Sequence, residues 1–277
     1  MKPRLIFSFL PLLLLVFAFV PGSQRQNGSL VQDPRLMANG WFAFSAEKEA
    51  CYLQTYQLAG YRLREMLAGR APGSRPAAVI TDLDETVLDN SPWALRVMLE
   101  GKDYPHYWSE WEKAGSATAF PGSAEFFRMA AGAGTEVFYI SNRKAENLNG
   151  TLRNLRQLGF PFADSAHVLL KTQTSNKIER RNSVSSRFEI LMLLGDNLAD
   201  FDGIWEDAPE AARMAAVKAN TGSWGSRYVI FPNPTYGSWR DAIMGYRRAM
   251  ADSTVNRIWE QRCLRYLDEH PFRPAGR

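Results

Sequence analysis

The chain has 277 residues, 45% of them hydrophobic and 22% charged, which is enough apolar material for a substantial core and excludes disorder for most of its length. Its 33 Lys and Arg against 29 Asp and Glu leave a formal charge of +4, too small a surplus to make a nucleic acid polymer the default partner. The two cysteines, Cys51 and Cys263, are too few for a disulfide scaffold or a thiolate metal cluster.

Lys2 and Arg4 precede an apolar stretch from Leu5 to Val20 in which Ser8 is the one polar residue, followed by Pro21, Gly22 and Ser23. This is the order of a secretory signal, and residues 1-22 are read as one. The stretch contains Pro11 and falls short of the roughly 20 residues of a spanning helix, so cleavage is expected and no permanent membrane span. The mature protein is then secreted or periplasmic, and no cysteine near the cleavage region offers a lipid anchor. Residues 23-36 read as a polar linker, and 37-277 as one domain.

A long helix is expected next, with Trp41, Phe44, Cys51, Thr55 and Leu58 on one stripe, ending at Gly69 and the Pro72, Gly73, Pro76 cluster. Short apolar runs then alternate with helical stretches. Strands are expected at 77-81, 136-140, 167-170, 190-194 and 228-231, and helices near 123-131, 145-158, 176-187 and 238-250. This alternation predicts a three-layer α/β/α sandwich around a parallel sheet, Rossmann-like in class. A segment at about 90-120, rich in Trp93, Tyr104, Tyr107, Trp108 and Trp111, reads as a small aromatic cap insertion. A final helix over about 253-269 carries Val255, Trp259, Cys263 and Tyr266 on one stripe. Packed against the first helix, it would bring Cys263 to Cys51; a disulfide and two buried free thiols are both open readings.

The segment Val79-Ile80-Thr81-Asp82-Leu83-Asp84-Glu85-Thr86 ends an apolar strand in two carboxylates spaced by one residue. Parallel α/β sheets bind ligands outside the carboxyl ends of their strands, so both acids reach the functional edge. Ser141, Asn142 and Arg143 end the second strand, Lys177 opens the helix after the third, and Asp196 and Asp200 follow the fourth. These residue types suit phosphoryl transfer, which needs an in-line nucleophile and positive charge over the phosphoryl oxygens. Clustered carboxylates would repel a phosphate unless a cation neutralised them, and Mg²⁺ is the natural oxygen-ligated choice. Three histidines, none paired, point away from metal ligation by histidine, and no GxSxG or GxxxxGK[ST] supports a serine hydrolase or a P-loop enzyme.

With these residues in place, the chain resembles the haloacid dehalogenase superfamily and, within it, the class C acid phosphatases of the lipoprotein e type, many of them 5′-nucleotidases. The runs DLDETVLDNSPW, FPGSAEFF, VFYISNRK, GDNLADF and PNPTYGSW carry the resemblance from about residue 40 to 250. It implies that Asp82 is the nucleophile and a Mg²⁺ ligand, and that Asp84 is the general acid and base, with its backbone carbonyl on the metal. Asp196 would be a further ligand, with Asp200 supporting the metal or Lys177. Ser141 and Lys177 would hold the phosphoryl oxygens, with Asn142 beside them as a phosphate-binding candidate. Trp108 and Tyr236 match positions that stack a nucleobase. Arg143 reaches either the substrate or a nearby acid. The basic run from Lys177 to Arg181 otherwise reads as a solvated face. The expected activity is Mg²⁺-dependent hydrolysis of phosphomonoesters, nucleoside 5′-monophosphates foremost, through a phosphoaspartate. The alternatives are a non-catalytic protein binding a nucleotide or haem on the same fold, and a phosphotransferase.

Overall fold

The computed structural model describes residues 29–247 and 249–270; the leader read at residues 1-22 lies outside them. Two helices come first, α1 (Leu36–Phe44) and α2 (Ala46–Ala68). The expected single helix is interrupted at Ser45, whose extended backbone ends α1 while its hydroxyl accepts from the Lys48 amide and caps α2. The buried face of α2 is Tyr52, Tyr56, Ala59, Gly60 and Leu63, not the stripe of Cys51, Thr55 and Leu58. That shift of one residue is about 100° around the helix. It occurs because the two tyrosines go inward, their hydroxyls donating to the carbonyls of Glu85 and Thr86.

The sheet begins with β1 (Ala77–Thr81). The segment that follows contains β2 (Leu88–Asp89), α3 (Ser91–Leu99), α4 (Trp108–Ala114) and β3 (Thr118–Ala119). Strands β2 and β3 pair antiparallel as a small ribbon at the base of this insertion. After it come α5 (Ser123–Gly132), β4 (Glu136–Lys144), α6 (Leu148–Gln157), β5 (Val168–Lys171), α7 (Ile178–Ser185) and β6 (Glu189–Gly195). The chain continues through α8 (Glu210–Ala219), β7 (Tyr228–Ile230), α9 (Ser238–Ile243) and α10 (Asp252–Glu269).

The five main strands are all parallel, in the order β5-β4-β1-β6-β7. β1 is buried along its whole length, which is why it reads as a continuous apolar run. Alternate side chains enter two cores. Ala77, Val79, Val137 and Tyr139 face α2, α5 and α6, whereas Ala78, Ile80, Phe138 and Ile140 face Val184 of α7 together with Phe201 and Trp205. The result is the expected three-layer sandwich.

Helix α4 lies on α6 backbone to backbone. A Cβ on Gly150 would come within 2.4 Å of the Glu112 carbonyl oxygen and 2.7 Å of Lys113 Cα, and Gly115, at φ +59°, faces the Gly150 carbonyl in the same way. Asn147, just ahead of α6, donates to Glu112 and Ser109 on α4.

The C-terminal part departs from expectation in two places. The helix read at 238-250 stops at Ile243 because Gly245 and Tyr246 take left-handed backbone. Helix α10 buries none of its residues; Arg262 pairs with Glu210, and both cysteines are free, with Cys263 exposed. The Cys51–Cys263 bridge is therefore not formed, because the stripe of α10 is not packed into the core that the inner face of α2 fills.

Candidate active site

Strand order reverses between β1 and β6, so the crevice at their carboxyl ends is where this class of sheet accepts a ligand. Asp82 stands directly after β1, and its amide donates to Leu194 O of β6 at 2.9 Å. The chain then turns tightly: the amides of Val87 and Leu88 both donate to Leu83 O, and Glu85 takes φ +55°. The Tyr52 and Tyr56 hydroxyls hold this turn from beneath through the Glu85 and Thr86 carbonyls. At the end of β6, Asp196 accepts from Thr86 Oγ1 at 3.2 Å and from Asn233 Nδ2 at 2.8 Å.

Lys177 sits at the start of α7 and reaches between two of these acids. Its Nζ is 2.5 Å from Asp82 Oδ1 and 2.6 Å from Asp200 Oδ1. Asp200 is seated by the Asn197 amide and approaches Gly195 so closely that a Cβ there would lie 2.5 Å from its carboxylate. Among the described residues, Asp82, Asp196 and Asp200 bring carboxylate oxygens within 4.8 Å of one another. This all-oxygen donor set suits a hard divalent cation.

The electrostatics fit that reading. Burial, opposed by Lys177 and reinforced by Asp200, Asp196 and Asp84, holds Asp82 well above the usual carboxylate range. Burial and then Asp200 raise Asp196 to about 7, against the amide of Asn233 and the charge of Lys177. Burial by itself would lower Lys177, but Asp200 and Asp82 keep it above the ordinary lysine value. Burial lifts the two carboxyls first, and the surplus of carboxylates over cations adds to it and keeps Lys177 high, a surplus that a divalent metal would neutralise.

Asp84 faces a different set of partners. Arg143, on β4 and 1% exposed, donates through Nε and Nη2 to its carboxylate at 2.7–3.2 Å. Ser141 Oγ donates to Asp84 Oδ2 at 3.2 Å and accepts from the Arg143 amide. Arg143 thus makes the pair with a nearby acid that was one of its two readings. Asn142 lies between them on the strand and points to the opposite side, where its exposed side chain accepts from Arg180. Arg180 also donates to the carbonyls of Ser141 and Asn176, tying the end of β4 to the loop before Lys177. Arg181 donates to the carbonyls of Ala199 and Asp200. The basic run is thus not a solvated face: Lys177, Arg180 and Arg181 all turn inward, because the loops around the site leave carbonyls and carboxylates that need donors.

Tyr236 overhangs the same edge, with its hydroxyl on Glu85 Oε2. Trp108 belongs to the aromatic cluster of the insertion, its ring 4.7 Å from Trp93 and 6.1 Å from Tyr104. Glu85, Thr86, Asn90, Asn233 and Arg180 were not singled out from the sequence. The first four fall inside the runs DLDETVLDNSPW and PNPTYGSW, which is the signal that could have found them.

Comparison with known proteins agrees with this geometry. Residues 36–239 match the family described as HAD superfamily, subfamily IIIB (Acid phosphatase). The class C acid phosphatase from Bacillus anthracis with tungstate bound is 35% identical with a TM-score of 0.79, over 84% of this chain and 98% of that one. A second structure of the Bacillus anthracis class C acid phosphatase matches at 36% identity with the same TM-score and coverage. The acid pair after β1, the lysine before α7 and the acid pair after β6 thus stand in a chain that belongs to the subfamily IIIB acid phosphatases of the HAD superfamily, enzymes that hydrolyse phosphomonoesters.

Proposed function

We propose that this chain is a secreted, Mg²⁺-dependent acid phosphatase acting on nucleoside 5′-monophosphates through a phosphoaspartate. The observation that carries the reading is the meeting of Asp82, Asp196, Asp200 and Lys177 at one sheet edge, with Asp84 alongside. Asp82, Asp196 and Asp200 would hold the cation, which supplies positive charge against the phosphoryl oxygens. Asp82 attacks phosphorus and the ester P–O bond breaks, while Asp84 delivers a proton to the departing oxygen. Asp84, now a base, takes a proton from water, which cleaves the aspartyl phosphate and regenerates Asp82. Lys177 and Ser141 steady the phosphoryl oxygens during both steps. The relative solved with tungstate, a tetrahedral oxyanion, supports a phosphate-shaped pocket. Tyr236 and Trp108 supply aromatic faces for a base, which favours nucleotides over simple esters.

Secretion rests on the residue order of 1-22; among the described residues no helix is long and apolar enough to cross a membrane. The deciding experiment measures phosphate release from p-nitrophenyl phosphate and from a nucleoside 5′-monophosphate, with Mg²⁺ and with EDTA, for wild type and Asp82→Asn. Loss of turnover in EDTA and in the variant is expected. An Asp82→Asn protein as fast as wild type would refute the nucleophile assignment.

A further inference from the structure

Asn90 stands at the N-cap position of α3, where an asparagine side chain normally accepts from an amide of the first turn. Here it makes no capping bond. The Ser91 amide is taken by Asp89 Oδ1 at 2.8 Å instead, and the Asn90 side chain, in a residue only 2% exposed, turns into the site. Its Nδ2 donates to Asp84 Oδ1 and Glu85 Oε1, each at 3.0 Å, and lies 3.4 Å from Leu88 O. Its Oδ1 accepts from Trp111 Nε1 at 2.7 Å and from Arg143 Nη2 at 3.3 Å.

The chemistry of these neighbours leaves the amide one orientation. An indole N–H and a guanidinium only donate, so they require the oxygen, and this alone fixes the amide; its nitrogen is left facing the carboxyls of Asp84 and Glu85. A flipped amide would face two donors with its NH₂ group and two carboxylates with its oxygen. Asn90 is therefore set by Trp111, on helix α4 of the insertion, and in turn holds Asp84 Oδ1 while Ser141 holds Oδ2. Helix α4 is itself packed backbone to backbone on α6 at Gly150.

We propose that Asn90, oriented by Trp111, is a positioning residue that aims Asp84 at the leaving oxygen, so that the aromatic insertion fixes the proton donor of the reaction. This rests on the reading of Asp84 as general acid. A misaimed acid matters most when the leaving group is a poor one and needs its proton early, and least when it departs readily as an anion.

The test is kcat/KM, which reports steps through phosphorylation, over a series of phosphomonoesters from p-nitrophenyl phosphate to an alkyl phosphate, with Mg²⁺ present. Asn90→Asp keeps the oxygen for Trp111 and Arg143 and replaces the donor, and it should lose at least about tenfold more on the alkyl ester than on the nitrophenyl ester. Trp111→Phe deletes only the N–H and should steepen the same dependence by about threefold. Asp84→Asn is the reference and should steepen it most. If Asp84→Asn leaves the dependence unchanged, the acid assignment itself fails and the proposal with it. If Asp84→Asn steepens it while Trp111→Phe and Asn90→Asp lose equally on every ester, or not at all, the proposal alone is overturned. Should Asn90→Asp not fold, Trp111→Phe decides.

Discussion

Replacing Lys177 by Met keeps the apolar stem and deletes the one charge that separates Asp82 from Asp200. The lysine and both acids are no more than 11% exposed at the side chain, and the contacts are 2.5 and 2.6 Å. Removing one partner of such a buried pair costs about 3–5 kcal/mol, because the other is left uncompensated. In a domain of this size each kcal/mol moves Tm by about 2–4 °C, so the metal-free variant should melt about 6–20 °C below wild type near pH 7.5. Proton uptake should relieve part of that cost. Burial already holds Asp82 above the ordinary range, and losing Lys177 raises it further. A carboxyl whose folded pKa is raised contributes stability that is complete below its unfolded value and is lost as pH rises through the folded one. Each pH unit over which the variant holds a proton that wild type does not relieves about 1.4 kcal/mol, so the loss should be smaller near pH 5 than near pH 7.5. Thermal melts in EDTA at the two pH values measure this directly. With Mg²⁺ restored, kcat should fall by about 10²–10³ if Lys177 also steadies the phosphoryl oxygens. A destabilisation of the same size at both pH values, or none at either, would refute the account of a carboxylate surplus held in check by Lys177.

Gly195→Ala should push its Cβ into the Asp200 carboxylate, costing about 1–3 kcal/mol and weakening Mg²⁺; an unchanged Tm and unchanged Mg²⁺ dependence would count against the close approach. Asp196, raised to about 7, lends the metal-free protein stability at low pH that fades between about 4, its unfolded value, and 7. Mg²⁺ at about 100 times its Kd should restore about 2.7 kcal/mol, with a smaller rise in Tm near pH 5, where protons compete with the cation; calorimetry at the two pH values checks both. Tyr236→Ala should raise KM for nucleotides by about tenfold, one decade per 1.4 kcal/mol of lost stacking, and far less for small aryl phosphates. Tyr236→Phe keeps the ring and loses only the hydroxyl on Glu85, so a KM as high as that of the alanine variant would show that the hydrogen bond, not the stacking face, matters.

The parallel sheet is legible in the sequence because its central strand is buried on both faces, so the run Ala77 to Thr81 is almost continuously apolar. The acids are legible because they follow such runs at once. What stays hidden depends on polar side chains that go inward. Tyr52 and Tyr56 look like surface residues on a helix whose stripe runs through Cys51 and Leu58, yet the carbonyls of Glu85 and Thr86 give their hydroxyls partners, and the whole face of α2 turns by one residue. Asn90 looks like a helix cap, but the donors that redirect its oxygen are Trp111 and Arg143, far along the chain from it. Arg180 resembles solvated charge until the carbonyls of Ser141 and Asn176 are placed beneath it. In each case the deciding partner is long-range, and periodicity carries no trace of it.

The glycine contact between α4 and α6 bears on how fast the enzyme can work. With Gly150 under the Glu112 carbonyl there is no room for a single carbon between the two backbones, so any side chain at position 150 would displace α4, and Trp111 with it. A substitution there should therefore slow turnover although it touches no substrate. A new substrate range is more readily acquired by exchanging side chains around the rim of the insertion than at this seam.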